Sequence, residues 1–565
     1  MTGTSKPGGI FGRAARAIQT ALFAGAAGHS IESDRAIESA EAAAIAPQST
    51  DELINEGLRL RQQHGVAAAV PLFKRAAKLD PNSHLPVLML GNAATELSDL
   101  DGAADYYERA RDLAPKNHVI RYNLGLCHLT RGYIDAAIEE FAAACHLDPT
   151  YVTAESAFIM ALHYSDRISP GEIAAAIREW GARFAAQHPA MVARVPTDRA
   201  VGRRLRVGFI SADFRTHSVA HFFEPVASGR NRDAFEYIFY SNSSLRDTVT
   251  ARLRECADIW HDIEQLTDES VIELIRADRV DILVDLSGHT SSNRLAVFAL
   301  RAAPVQITYL GFPNSTGLAT MDFRITDGLT DPHNPADRWH TESLLRLPDS
   351  QWCFRPFGEP PRAGPLPARS AGFVTFGSFN NLTKASDTVL GCWAQILMRL
   401  PDSRLSLNRI LSPRRFAEIV ALLGKSGVTT DRIDCTPFRP ELPYGLQFDG
   451  IDISLDPYPY NGVTTTCESL YVGVPVISLH GLNCVSRSGL SILSTLGLGE
   501  LVASTPEQYI EIAVGLASDL PRLEEMRRGL RERFERSPLR DEKSFAARFE
   551  EVLQTAWREH LARAT

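Results

Sequence analysis

Between residues 50 and 150 the apolar positions recur at helical spacing, and the whole pattern then repeats with a stride of 34 residues. Leu79-Asp80-Pro81, Leu113-Ala114-Pro115 and Leu147-Asp148-Pro149 are in register, as are Gly57/Gly91/Gly125, Ala69/Ala103/Ala137, Phe73/Tyr107/Phe141 and Ala76/Ala110/Ala144. From Arg204 the periodicity changes. Short β-rich apolar runs alternate with helical stretches: RLRVGFIS (204–211), FEYIFYS (235–241), DILVDLSG (281–288), VQITYLG (305–311) and FRITD (323–327). After the proline-rich passage 355–369, which cannot enter a sheet, the alternation resumes with FVTFGSF (373–379), SRLSLNR (403–409), RIDCTPF (432–438), DISLDP (452–457) and PVISL (475–479).

The repeating segments resemble tetratricopeptide repeats, helix pairs in which small residues let two helices approach, an aromatic fills the gap and proline ends the second helix. Such an array presents a concave face to an extended polypeptide. Residues 155–188 remain helical in pattern but lack the repeat's glycine and proline marks, which suits a cap or connector. Each β-rich stretch predicts a doubly wound parallel sheet. The expected class is thus α + α/β: a helical solenoid over 49–190, then Rossmann-like domains over 203–360 and 370–540. The helical stretch 506–563 is expected to close the structure, its last part, 541–565, packing across both domains.

Composition narrows the partners. An apolar content of 44% and a charged content of 22% are ordinary for a globular protein, and no apolar run reaches the ~18 residues of a membrane span. The net charge of -9 argues against nucleic acid as a partner. The eight cysteines form no C-x-x-C pair and suggest no zinc site, so no metal and a cytoplasmic location are expected. Residues 1–48, rich in Ala, Gly and Ser, read as a poorly ordered leader. Within them Ile10 to Gly25, with Arg13 and Arg16, fits either a weak export signal or an amphipathic helix.

Candidate chemistry gathers after the strands. Asp456 ends one, Asn461-Gly462 makes a turn, and Thr464, Thr465 and Thr466 open a helix. Its free N–H groups and partial positive charge suit a phosphate, and Glu468, one turn on, suits a ribose. A plain threonine N-cap explains the threonines equally well. In the loop after the second domain's first strand, Asn380, Asn381 and Lys384 stand where phosphate sites form, and a lysine there neutralises a departing diphosphate; alone, it reads as a solvated cation. After the first domain's first strand, Asp213 and His217 are placed to share proton handling, unless the histidine is structural. His289-Thr290 and the loop from Gly311 through Pro313 and Asn314 to Gly317 add polar groups at the same sheet edge.

With these motifs in this order, D-F-x-x-H at 213–217, G-F-P-x-S-T-G at 311–317, F-N-x-L-x-K at 379–384 and N-G-x-T-T at 461–465, the chain resembles the tetratricopeptide-containing O-linked N-acetylglucosamine transferases, the SPINDLY-like branch included. The resemblance runs from about residue 50 to the C-terminus. It implies a GT-B fold and metal-independent, inverting transfer of a sugar from a nucleotide donor, with no cofactor, to Ser or Thr hydroxyls of proteins docked on the repeats. It places His217 beside donor and acceptor, makes Asp213 a candidate proton acceptor, and sets Lys384 and Thr464/Thr465 at the diphosphate, with Asn381 near the nucleotide. Arg439, Pro440 and Tyr444 then frame the base, and Glu468 holds the ribose. Val463 stands where animal enzymes have a histidine, Tyr444 replaces another, and Glu468 is longer than the family's aspartate. These departures fall around base and ribose rather than the transferred sugar and leave the nucleotide open between UDP-N-acetylglucosamine, which the resemblance favours, and GDP-fucose, used in the SPINDLY branch. Two other readings remain: a transferase acting on a glycan, lipid carrier or asparagine, and a non-catalytic repeat scaffold.

Overall fold

The computed structural model describes residues 49–188, 202–362, 364–408, 410–436 and 444–563. The expected leader, and the stretch 189–201 between the solenoid and the first α/β domain, lie outside them. Three helix pairs open the described chain: Thr50–His64 with Val66–Leu79, His84–Glu96 with Leu100–Leu113, and His118–Arg131 with Ile134–Leu147. The in-register residues meet one another. A Cβ added to Gly57, Gly91 or Gly125 would stand 2.5, 2.6 or 2.7 Å from the ring of Phe73, Tyr107 or Phe141, so each glycine makes room for the aromatic sixteen positions on. The in-register alanines are wholly buried beside them. Each second helix ends at the leucine of its Leu-x-Pro, two residues before the proline, whose ring and missing N–H bar a further turn.

A fourth helix pair, Val152–Leu162 and Pro170–Gln187, joins the solenoid to the first α/β domain. Ser169 and Glu172 form a reciprocal capping box at the start of the second helix, with Pro170 in its first turn. Ile159, Ile173, Ile177, Trp180 and Phe184 share one buried cluster with Ile210, Ile238, Leu283 and Phe312 of that domain. The helix lies so close to it that a Cβ on Gly181 would sit 1.9 Å from the Gly317 carbonyl oxygen. Gly317 itself has φ +82°, a conformation that glycine adopts without strain. The solenoid and the first α/β domain are therefore one packed body.

That domain has seven parallel strands, β1 (Leu205–Ser211), β2 (Phe235–Ser241), β3 (Ile259–Asp262), β4 (Ile282–Asp285), β5 (Val305–Thr308), β6 (Phe323–Asp327) and β7 (Ser343–Leu347), in the order β3-β2-β1-β4-β5-β6-β7. The second has six, β8 (Thr375–Ser378), β9 (Arg404–Asn408), β10 (Ile433–Thr436), β11 (Ile453–Leu455), β12 (Val476–Leu479) and β13 (Val502–Ala503), in the order β10-β9-β8-β11-β12-β13. Both reverse direction beside their first strand, and the crevice for a ligand lies at such a reversal. The central strands are apolar on both faces because helices cover both. Strands β3, β7 and β13, absent from the sequence expectations, are edge strands. They carry polar residues (IWHD, SLLRL) or span only two positions, so their apolar runs are too short to read.

The stretch 506–563 is three helices rather than one: Pro506–Ser518, Leu520–Glu535 and Glu542–Arg563. Asp519 breaks the first from the second and caps the latter through the Arg522 N–H. The third crosses back to the first α/β domain, where Phe549 meets the ring of Tyr309 and Glu550 accepts the Asn231 N–H at 2.7 Å. The two domains also touch directly: the Ser491 hydroxyl donates to Asp327 at 2.8 Å, the Arg487 guanidinium to the Leu329 carbonyl at 2.8 Å, and the Cys484 thiol to the Pro313 carbonyl at 2.7 Å. All eight cysteines are free thiols. Among the described residues no helix is long and apolar enough to cross a membrane.

Candidate active site

The loops after β1 and β4 in the first sheet and after β8 and β11 in the second are the four that flank the two strand-order reversals. They face one another across a cleft of about 440 Å³. Asp213, His217, Thr290, Gly311 and Pro313 line it from one side, and Asn381, Lys384, Thr464 and Thr465 from the other.

The second domain builds a phosphate-sized corner. Gly462 is needed there because a Cβ would meet Thr465 Oγ1 at 2.4 Å and Asn380 Oδ1 at 2.9 Å, two atoms that bond each other at 2.8 Å. Helix Thr464–Tyr471 has Val463 at its N-cap position, a side chain with no acceptor, so among the described residues no side-chain cap closes its start. The threonines therefore do not cap the helix; its positive end opens toward the cleft lined by Thr464 and Thr465. Lys384, ending the short turn Leu382–Lys384, donates from Nζ to the Asn461 carbonyl at 3.2 Å and lies over the Tyr460 ring, 4.6 Å from its centroid. Ammonium and helix start thus share one crevice. Asn381 Oδ1 accepts the Thr383 N–H at 3.1 Å and so shapes the turn that carries the lysine.

Beneath this corner lies Asp456, which accepts the Gly462 N–H at 2.8 Å and the Ser478 hydroxyl at 2.6 Å. Burial pushes its carboxyl up to about 7, against the pull of those two hydrogen bonds and of the Lys384 charge.

Across the cleft, His217 is the N-cap of helix Ser218–Ser228: its Nδ1 accepts the Val219 N–H at 3.3 Å. Asp213 Oδ2 stands 3.5 Å from the same nitrogen, and Arg215 lies 3.4 Å from Asp213 Oδ1. Burial lowers the imidazole's proton affinity, the Asp213 charge opposing and Arg215 reinforcing. In this neutral ring an accepting Nδ1 leaves the proton on Nε2, which makes the ring a hydrogen-bond donor.

Some expected site residues turn away. The Asn461 amide donates to the Pro457 and Leu479 carbonyls at 3.0 and 3.2 Å, so its side chain folds the loop and only its carbonyl reaches Lys384. Thr466 is buried with its hydroxyl on the Gly462 carbonyl at 3.1 Å. His289 lies between Trp180 and Phe312 with Nε2 2.9 Å from the Thr316 carbonyl, and burial lowers it to about 3. Asn314 bonds the ring of His163 at 2.7 Å, fastening the connector to the sheet. Glu468 is half-buried outside the cleft lining. Arg439 and Pro440 lie outside the described residues, and Tyr444 opens a short turn, Tyr444–Phe448.

The cleft also has lining residues that sequence reasoning misses. Asn242, Ser243, Ser244 and Leu245 follow β2 at the same sheet edge, a position that strand order alone makes a ligand loop. Ser291 and Ser292 extend the loop of Thr290. Tyr164, from the solenoid's last helix pair, reaches in from more than two hundred residues before Lys384, and nothing in its local sequence signals that.

Two Rossmann-like domains with a cleft between their strand ends, preceded by a helical repeat array, define a GT-B fold carrying tetratricopeptide repeats. A family model for glycosyl transferase family 41 matches residues 186–353 and 366–549, and a tetratricopeptide model matches 54–118 and 88–152. The chain belongs to glycosyl transferase family 41. It is 38% identical over 429 residues to a tomato (Solanum lycopersicum) protein named "Probable UDP-N-acetylglucosamine--peptide N-acetylglucosaminyltransferase SPINDLY", covering 73% of this chain and 45% of that one. It is 30% identical over 389 residues to the Arabidopsis thaliana protein of the same printed activity called SEC, covering 66% of this chain and 39% of the relative. The chain therefore spans less than half the length of these relatives. A solved structure of a lysine-to-methionine mutant of the Thermobaculum terrenum O-GlcNAc transferase superposes with a TM-score of 0.84 at 34% identity, over 92% of this chain and 100% of that one.

Proposed function

We propose that this glycosyltransferase moves N-acetylglucosamine from UDP-N-acetylglucosamine to Ser or Thr hydroxyls of protein segments held on its repeats, inverting the anomeric carbon and using no metal. The observation that carries the reading is the convergence on one cleft of an ammonium, an uncapped helix start and a carboxylate–imidazole pair. The donor's pyrophosphate sits between Lys384 and the Thr464–Tyr471 helix, with the Thr464 and Thr465 hydroxyls as further donors. The acceptor hydroxyl attacks the anomeric carbon from the first domain's side. Its proton passes to Asp213, the bond from the anomeric carbon to the phosphate oxygen breaks, and the charge that develops on the departing diphosphate is met by Lys384 and the helix start. His217, donating through Nε2, orients sugar and acceptor. Among the described residues no three His, Cys, Asp or Glu side chains stand together as metal ligands.

One observation bears on the choice of donor. Val463 lines the cleft at the helix start and offers no hydrogen bond to a base or ribose, so GDP-fucose is the competing reading. Thermal shift with UDP and GDP sugars separates the two, because a ligand that binds only the native chain raises its melting point. Labelled UDP-N-acetylglucosamine incubated with lysate tests the acceptor: label on protein, released by base-catalysed β-elimination, supports the proposal, and label only in lipid or polysaccharide rejects it.

A further inference from the structure

The solenoid does more than stand beside the cleft. Tyr164 follows its helix Val152–Leu162, is buried, and lines the cleft. Its ring stacks on that of Tyr460 with centroids 5.0 Å apart and planes 16° from parallel. Tyr460 belongs to the loop after β11, in the other domain, and is the ring over which the Lys384 ammonium rests. Next to Tyr164, His163 holds the Asn314 amide on Nε2 while its Nδ1–H donates to the Ile159 carbonyl at 2.8 Å, so this end of the solenoid is pinned to the first domain. One contact chain therefore runs from the repeats through two aromatic rings to the lysine.

The physics of that chain is specific. An ammonium over an aromatic face is held by the ring's negative charge, most strongly where water is excluded. The hold depends on the ring keeping its orientation, and half-buried Tyr460, within the loop after β11, has its ring orientation fixed by stacking on the buried ring of Tyr164. We propose that Tyr164 is a positioning residue for sugar transfer: by backing Tyr460 it fixes the Lys384 ammonium where the pyrophosphate charge develops, so the active site is complete only with the solenoid's cap in place. The proposal rests on the reading of Lys384 as the counter-charge of the departing diphosphate.

The test uses the full chain with Tyr164→Phe, Tyr164→Leu, Tyr460→Leu and the double leucine variant. The first readout is independent of any sugar: acylation of Lys384 by an amine-reactive ester, followed by peptide mass spectrometry. Losing the aromatic hold frees the amine and raises its reactivity about fivefold in Tyr164→Leu, while Tyr164→Phe, which keeps the ring, matches wild type. Tyr460→Leu raises it as much or more, and the double variant adds nothing further, since the residues act in series. In transfer assays Tyr164→Leu lowers kcat about tenfold while donor KM stays within about twofold, and Tyr164→Phe restores kcat. Wild-type Lys384 reactivity in Tyr164→Leu, additive effects in the double variant, or a Phe variant as slow as Leu overturns the proposal. A wild-type chain that binds neither UDP nor GDP sugars overturns the functional reading instead, and leaves the labelling experiment intact.

Discussion

The Lys384 ammonium donates to the main-chain carbonyl of Asn461 at 3.2 Å, tying the loop after β8 to the loop after β11 across 77 residues of chain. Those loops flank the strand-order reversal of the second sheet, so the contact brings the cation to the one place where both loops face a ligand. With Asp456 beneath and the uncapped helix start alongside, the ammonium has a fixed post. Replacing Lys384 by Ala is expected to lower transfer about 10²–10³-fold, the usual loss when one preorganised charge partner of a leaving group is removed. The melting temperature should change little, because removing the lysine strands no charge on the Asn461 carbonyl or on the Tyr460 ring beneath it. Sugar transfer and thermal melting measured on the same preparation check this. An active variant removes the proposed mechanism.

The three threonines are expected to separate in their effects. Thr465 lines the cleft and bonds Asn380, whereas Thr466 is buried and bonds the Gly462 carbonyl. Thr465→Val should weaken nucleotide-sugar affinity about tenfold, the scale of one hydrogen bond to a charged group. Thr466→Val should cost about 1 kcal/mol of stability and leave affinity within about twofold. Titration calorimetry and denaturation on both variants give the comparison, and the reverse ranking contradicts the orientation of this helix.

Much of this arrangement is legible in the sequence for a physical reason. The repeat's glycines, alanines and aromatics touch one another, so their spacing is the packing itself. The central strands are buried on both faces and so read as continuous apolar runs. Loops after such strands hold ligands by topology, which is why Asp213, Lys384 and Thr464 stand out even without their distances. What cannot be read depends on which way a polar side chain turns. Asn461, Thr466, His289 and Asn314 carry the same groups as cleft residues but spend them on backbone carbonyls or a neighbouring ring, and only the packed structure decides between the two. Tyr164 is illegible for the opposite reason: its role comes from a contact between distant parts of the chain.

Asp456 makes the chain's stability depend on pH in a defined direction. Folded, its carboxyl holds a proton up to about 7; unfolded, an aspartate releases it near about 4. Between those values the folded chain binds the extra proton, so the contribution of Asp456 falls as pH rises through that window and is level above it. Asp456→Asn mimics the protonated form, accepting the Gly462 N–H and donating to Ser478. The melting temperature of wild type minus that of Asp456→Asn should therefore decline from pH 4.5 to about 7 and then flatten. A difference that grows with pH instead means that an ionised carboxylate, paired with Lys384, is the stabilising form.

The junction between solenoid and first domain has a single most sensitive point. Gly181 lies mid-helix in Pro170–Gln187, and a Cβ there would stand 1.9 Å from the Gly317 carbonyl oxygen, a backbone atom that cannot swing aside. Gly181→Ala must lift the helix off the loop that continues from Pro313 in the cleft, at a cost of about 1–3 kcal/mol typical of overpacking. Gly171, in the same helix, has only the Ser169 hydroxyl oxygen near its Cβ position, at 3.9 Å. Gly171→Ala should therefore leave melting unchanged or raise it slightly through helix propensity. Hydrogen exchange distinguishes local loosening from global loss. Gly181→Ala is expected to speed exchange in 170–187 and in 311–317 together, since each is the other's wall, while the second sheet keeps its protection. Equal melting of the two variants would mean that helix and loop do not meet in solution, and the solenoid would then be a tethered neighbour of the catalytic domains.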